Sequence, residues 1–333
     1  MKKIYLIATT IVLSFSAFGQ VTKNLPIVNA EERMNINTDK LINTQLYNFN
    51  KAPGDVIFSE TFNGNMGGFT TTPGAMDTIW KFDTNGPDGQ FSSTTNADII
   101  TSTTAGNGFM IFDADLSNPG PSSGFVDRIG ALTSPAIDMT GITSAVISYE
   151  NRYRTCCANA FFLKLQVSTD DFVTSETYNV SKVGQGVNAD QGTFVSKVNV
   201  GNFLATATNL TNFKFRFFFD GAEGGSTSHY FWQVDDINVY ESWTDDNTLV
   251  EHFMEAGPQG IPYYNMTLNQ ISPISFGGAI RNNGAATSNG TILTTTISTA
   301  GTGSVASTPI IGAIGGLDTV FTAAWTPTAT SPG

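Results

Sequence analysis

Two adjacent carboxylates, Asp235 and Asp236, stand in the middle of residues 230–240, a stretch otherwise rich in aromatic and β-branched residues and therefore a strand. Strict alternation fails across them: Trp232 and Val234 share one parity, Ile237 and Val239 the other. A β-bulge at Asp235–Asp236 absorbs the slip, because one extra residue returns the second apolar set to the core face and re-aims the side chains beside it. Two re-aimed carboxylates at the edge of a core have a direct chemical use, as oxygen ligands for a hard cation, with Ca2+ the first choice. The alternative is an acidic pair exposed to solvent at a strand irregularity.

Other chemistry is sparse. Residues 120–124 read G-x-S-x-G, but a nucleophile elbow needs a strand before it and a helix after it, and this match lies in a Pro/Ser/Gly loop. A Ser-His-Asp triad would have to use His229 or His252, the only histidines. There is no H-E-x-x-H motif and no P-loop. The sequence therefore reads as not an enzyme. Tyr149, Arg152, Tyr153 and Arg154 form a candidate ligand platform, since exposed aromatics with polar neighbours suit sugars. The alternative puts Tyr149 in a core strand and the arginines in water. Cys156 and Cys157, the only cysteines, form either a vicinal disulfide or two free buried thiols, and adjacent sulfurs are poor ligands for a tetrahedral zinc ion.

The chain that must position these residues begins with a secretory signal. Lys2 and Lys3 precede an apolar run from Ile4 to Phe18, and Ala17-Phe18-Gly19 suits a signal peptidase, which makes 1–19 a signal peptide. No later segment is long and apolar enough to insert the mature chain in a membrane. The formal net charge is −12, and more negative once Lys2 and Lys3 are removed, which argues against a nucleic-acid partner. Only 13% of residues are charged, while Thr, Asn, Ser and Gly are abundant, as in extracellular β-proteins.

Residues 20–54 read as a polar leader or linker. Strand signals run from Val56 to Tyr240, and Phe213-Phe215-Phe217-Phe219 is the clearest period-2 run, with Lys214 and Arg216 on the other face. Phe218 breaks that pattern, which suggests that both faces are covered at the end of the strand. Many strands without a sequence repeat, over about 185 residues, indicate a jelly-roll β-sandwich spanning 55–241. Residues 242–262 read as a linker. Residues 263–333 show a shorter Ig-like pattern and stop at a turn-like stretch, which reads as a truncated domain. The fold class expected is all-β: a jelly-roll sandwich plus a partial Ig-like sandwich.

Four segments in order carry a resemblance: Phe58-Ser59-Glu60-Thr61-Phe62, residues 132–141 with Ser134-Pro135-Ala136-Ile137-Asp138, Val167-Ser168-Thr169-Asp170-Asp171, and Trp232-Gln233-Val234-Asp235-Asp236-Ile237. Together they resemble the MAM-like jelly-roll modules of secreted bacterial proteins, including cleaved-adhesin and choice-of-anchor J domains. Asn282-Asn283-Gly284 and Ala323-Ala324-Trp325-Thr326-Pro327 make the second unit resemble a CARDB-like Ig-fold module. The first resemblance implies a structural Ca2+ where the first and last strands meet, with Glu60 and Asp236 as ligands, Asp235 as a weaker candidate, and Asn63, Asp113 and Asp115 in reserve. It also implies a secreted or outer-surface location, a glycan or protein ligand on a surface, and possible export by type IX secretion machinery through a C-terminal segment beyond this sequence. The expected function is non-catalytic adhesion or binding; the alternative is an accessory region of a larger secreted hydrolase.

Overall fold

The computed structural model describes residues 4–5, 53–73, 80–92, 98–118, 126–156, 162–181, 188–190, 192–223, 229–256, 265–266, 273–297 and 303–326. Most of the signal and leader segments, the G-x-S-x-G loop, Cys157 and residues 327–333 lie outside them, so the readings placed there have no structural counterpart. Ile4–Tyr5, within the segment read as a signal, forms a two-residue strand against Asn265–Met266.

The run of alternating phenylalanines becomes a central strand of one of two large antiparallel sheets. The first sheet contains β1 (Val56–Glu60), β3 (Lys81–Asp83), β4 (Phe109–Asp113), β6 (Ala145–Cys156), β9 (Phe194–Asn199) and β11 (His229–Glu241). Its order is β9-β6-β11-β4-β3, with β1 also paired to β11. The second contains β2 (Thr70–Pro73), β5 (Ile129–Thr133), β7 (Leu163–Ser168), β8 (Glu176–Asn179) and β10 (Lys214–Asp220), in the order β2-β5-β10-β7-β8. Period-2 placement of apolar residues lets one face of each sheet meet the other. Phe215, Phe217 and Phe219 of β10 are fully buried there, facing Met110 and Phe112 of β4, Tyr149 and Tyr153 of β6, and Trp232 of β11. Phe217 lies edge-on to Trp232 at 5.5 Å and to Tyr149 at 4.8 Å, and Phe112 stacks on Phe219 at 4.3 Å. The molecule is thus all-β, with a jelly-roll sandwich as its main body.

Phe218 corrects one expectation. It is half-buried on the outer face of β10, between half-buried Arg216 and Asp220, so the second face is not closed over at the end of that strand.

A smaller Ig-like set of strands follows: β12 (Asn247–Ala256), β13 (Ile274–Asn282) and β18 (Leu317–Phe321) form one sheet. Two pairs accompany it: β14 (Ser288–Thr291) with β17 (Ile310–Gly312), and β15 (Thr294–Ile297) with β16 (Gly303–Ala306). β12 occupies much of the stretch read as a linker, paired along its length with β13. Ile280, Leu293 and Val320 form the small core of this set. Asn199 ties it to the sandwich by donating from Nδ2 to the carbonyls of Asn283 (2.7 Å) and Gly284 (2.9 Å). Among the described residues no helix is long and apolar enough to cross a membrane.

Phe217 touches aromatic rings from both sheets, so Phe217→Ala opens a cavity in the shared core. A loss of about 3–5 kcal/mol is expected, against within about 0.5 kcal/mol for Thr177→Ala on the open face. Urea denaturation monitored by tryptophan fluorescence measures both.

Candidate metal centre

The bulge forms where the sequence requires it. Asp235 opposes Glu150 and Asn238 opposes Ser148, so Asp236 and Ile237 together face Tyr149 alone. Asp236 takes a left-handed backbone with φ 49°. The register shift brings Trp232, Val234, Ile237 and Val239 into one core despite their mixed parity.

The other flank of β11 is shared by two strands. β4 pairs with Phe231–Val234, and β1 pairs with residues 237–240. Both partners run in the same direction, so the end of β1 at Glu60 and the start of β4 at Phe109 abut opposite Asp235–Asp236. That junction is a gap in the sheet, and local side chains fill it. Glu60 Oε1 accepts the backbone N–H groups of Thr61 (2.9 Å) and Phe62 (2.6 Å). Gly67, at φ 56°, lies against the same carboxylate so closely that an added Cβ would sit 1.8 Å from Oε2.

Residues 102–104 provide the remaining partners. Ser102 Oγ donates to Asp235 Oδ2 at 2.5 Å. Thr103 donates from Oγ1 (2.5 Å) and N (3.1 Å) to Glu150. Thr104 donates from N and Oγ1, both at 2.9 Å, to Asp236. Three consecutive hydroxyl residues thus serve three carboxylates, two of which, Asp235 and Glu150, are directly cross-strand. Like charges in that arrangement repel. Asp235 is fully buried, and burial, reinforced by Asp236 and Glu150 and opposed by Ser102, pushes its carboxyl up to about 7.

The same segment is fastened along its length. Gln233, fully buried, accepts the Ile100 N–H at 2.6 Å and donates to the Asp98 carbonyl at 2.7 Å. Arg152 donates to the Ile99 carbonyl and pairs with Asp190, while Arg154 pairs with Asp98 at 3.1 Å. Beneath it, Ile100, Phe109, Ile111 and Phe231 form a second apolar cluster on the outer face of the first sheet.

The donor chemistry fits a hard cation. All groups are oxygens, and two of them, Asp235 Oδ1 and Asn107 Oδ1, are buried without a hydrogen-bond partner. Among the described residues no three His, Cys, Asp or Glu side chains are placed to hold an ion together.

The sequence-derived candidates separate into three groups. Glu60, Asp235 and Asp236 come to one junction, Glu60 lying opposite Ile237. Asn63 is exposed in the turn after β1, and the N–H of the next residue, Gly64, donates to the carbonyl of Asn107 at 3.1 Å. Asp113 does not join them. It pairs with Phe231, four positions from Asp235 and therefore about 13 Å along the strand. Its oxygens accept the N–H groups of Asp88 (2.9 Å) and Leu116 (3.0 Å), and Asp115 likewise holds Ser92 N–H at 2.8 Å.

The platform expected from Tyr149, Arg152, Tyr153 and Arg154 does not form. Alternation along β6 sends the two tyrosines into the core, at 0% and 1% exposure, and the two arginines to the opposite face, where they clamp residues 98–99. His252 is exposed on β12. Sequence reasoning missed Glu150, Asn107 and residues 102–104. The run Thr101-Ser102-Thr103-Thr104 was the one available signal, but the register that carries it to the bulge is a tertiary fact.

No protein-family model matches this sequence, and no curated protein does. Among solved structures, the K1 cleaved adhesin domain of Lys-gingipain from Porphyromonas gingivalis W83 is similar at 14% identity, with a TM-score of 0.33, over 55% of this chain and 96% of that one. The K3 cleaved adhesin domain of the same protein is similar at 13% identity, with a TM-score of 0.32, over 56% of this chain and 98% of that one. The CBM22-1 xylan-binding domain of Paenibacillus barcinonensis Xyn10C is similar at 12% identity, with a TM-score of 0.30, over 56% of this chain and 95% of that one.

Asp235 sets a pH dependence whose sign follows from its raised value. Between the ordinary carboxyl value of 3.8 and about 7 the folded chain holds a proton that the unfolded chain releases, so this group's contribution to stability is lost as pH rises through that window. In chelator, the stability of the native protein relative to Asp235→Asn is expected to fall between pH 4 and pH 7 and then level off. Paired urea titrations across that range measure it; a flat difference would mean that the carboxyl is not perturbed.

Proposed function

We propose that this chain is a secreted, non-catalytic binding module that attaches to surface carbohydrate or protein, and that its jelly roll is clamped by a structural calcium ion at the junction of its first and last strands. One observation carries the reading. The carboxylates of Asp235 and Asp236, in the chain's most distinctive motif, and of Glu150, opposite Asp235, are tied to residues 102–104, and Asp235 is shut away from solvent. General acid–base or nucleophilic work requires a group that a substrate can reach. These carboxylates instead hold the sheet together, and a divalent ion is the partner that would offset their mutual repulsion.

Glu60 and Asp236 would supply side-chain ligands from opposite ends of the sandwich. Asn107 Oδ1, buried and unpartnered, and backbone carbonyls of the adjoining turns would complete the shell. Joining residues some 175 positions apart in one coordination sphere restrains the same long loop that the β1–β11 pairing closes. The order of the four sequence motifs and the polar, lightly charged composition support export and a binding role.

Calcium at about a hundredfold over its Kd adds about 2.7 kcal/mol, which for a chain of this size corresponds to a rise of about 5–10 °C in Tm. Differential scanning fluorimetry in millimolar calcium against excess chelator is expected to show that rise, with Asp236→Asn and Glu60→Gln abolishing it. An identical Tm in both conditions overturns the clamp.

A further inference from the structure

The two outer faces of the sandwich differ. That of the first sheet is covered by residues 98–107. On that of the second sheet, among the described residues, Thr70, Thr72, Thr177 and Asn179 of the edge strands are exposed, Thr133, Gln166, Lys164, Arg216 and Phe218 are half-buried, and Ala131 is buried. Registered pairing lays Thr133, Arg216, Gln166 and Thr177 in one row across the strands, with Ala131, Phe218, Lys164 and Asn179 in the next. Five strands at their usual spacing make each row about 19 Å long.

Arg216 stands at the centre of this face in unusual company. Its guanidinium lies 4.2 Å from the ring centre of Phe172 and 5.1 Å from that of Phe218. Its Nε donates to Gln166 Oε1 at 2.7 Å. Lys164 and Lys214 on the same face each have carboxylates, Asp220 and Glu223 for the first and Asp171 for the second. Arg216 has none among the described residues. In a chain with 28 acidic and 16 basic residues, a half-buried guanidinium that pairs with no carboxylate among the described residues is poised for an external anion.

The ring above it is held there under strain. Asp171 and Phe172 are consecutive non-glycine residues with left-handed backbones, at φ 58° and 63°. Ser168 Oγ accepts the Phe172 N–H at 2.9 Å, and the Asp170 carboxylate accepts the Thr174 N–H at 2.9 Å, which fix the turn. The tip residue, Val173, is 84% exposed.

We propose that this face binds a uronic-acid polysaccharide, with Arg216 pairing with a sugar carboxylate through its terminal nitrogens while Phe172 and Phe218 pack on the C–H faces of neighbouring rings. The inference rests on the binding-module reading and names its surface and ligand class. Planar carboxylate recognition is the chemistry for which a preorganised guanidinium is suited. The hydroxyls and amides of Thr133, Thr177, Gln166 and Asn179 offer both donors and acceptors for sugar hydroxyls. An acidic peptide fits less well. Peptides that add to sheets pair with unsatisfied strand edges, whereas the backbone groups at this central position are used by the flanking strands.

Affinity electrophoresis of the full chain tests the proposal with gels containing glucuronoxylan, hyaluronan or oligogalacturonate, beside unsubstituted xylan and polyglutamate. At least one uronate polymer is expected to retard the native protein, with Arg216→Met and Phe172→Ala each weakening the apparent affinity tenfold or more. Arg216→Lys, which keeps the charge but not the plane, is expected to fall between. Each variant should retain the native Tm and its calcium response, which separates loss of this site from failure of the fold or of the calcium clamp. Equal retardation by neutral xylan, retardation by polyglutamate alone, an unaffected Arg216→Met variant, or no retardation by any uronate polymer each overturns it. An intact calcium response in that last case leaves the clamp reading standing.

Discussion

The last strand of the sandwich must serve two partners on one flank. β11 pairs continuously with β6, but on its other side β4 stops and β1 begins. An unbroken strand would keep one parity throughout and would direct either Trp232 and Val234 or Ile237 and Val239 away from the core. The bulge at Asp235–Asp236 resolves this by inserting one residue at the point where the flank changes hands. The remaining polar features of the junction follow from that insertion. It leaves backbone unpaired, turns two carboxylates out of the core, and opens a notch that only the adjoining turns can fill.

Asp235, Asp236 and Glu150 repel one another across such a notch, and Asp235 is buried away from the solvent that would screen it. Three devices reduce the cost. Consecutive hydroxyl residues donate to all three carboxylates, with backbone N–H groups reinforcing two of them. Burial favours the neutral form of Asp235. The arginines and glutamine further along β6 and β11 anchor residues 98–100, so the hydroxyl run arrives in register. Removing any anchor therefore acts at a distance, by releasing the segment that neutralises the bulge.

Some of this was legible in the sequence and some was not. The parity slip in residues 230–240 located the bulge, because side-chain periodicity in a strand is a local property. The buried phenylalanines of β10 were legible for the same reason, and the order of the motifs anticipated that the strands carrying Glu60 and Asp236 meet. Asp113 and the Tyr149–Arg154 group were misplaced because their roles depend on which strand lies opposite and on which loop covers the sheet. Phe231 opposite Asp113 and Ile99 above Arg152 are facts of register and cover, with no imprint in local spacing. β12 escaped notice because Asn247, Thr248, Glu251, His252 and Glu255 break up its apolar residues. Partial exposure of this strand tolerates such residues.

The contrast between the two outer faces follows from the same economy. The first sheet carries Ile111, Phe109 and Phe231 outward, and a face with that much apolar surface needs a cover. Residues 98–107 supply it, and the acidic junction lies beneath. The second sheet turns threonines, Gln166, Lys164 and Arg216 outward, and such a face stays hydrated without one. Phe218 is the exception that needs explaining. A solvated sheet face has no packing use for a large ring, and a strained turn that brings Phe172 to the same guanidinium adds a second cost without a core to offset it. The contact of the two rings with the guanidinium offsets part of that cost. Under the proposal above, an external ligand that meets ring and cation together would offset the remainder, which puts recognition on the sheet opposite the bulged junction.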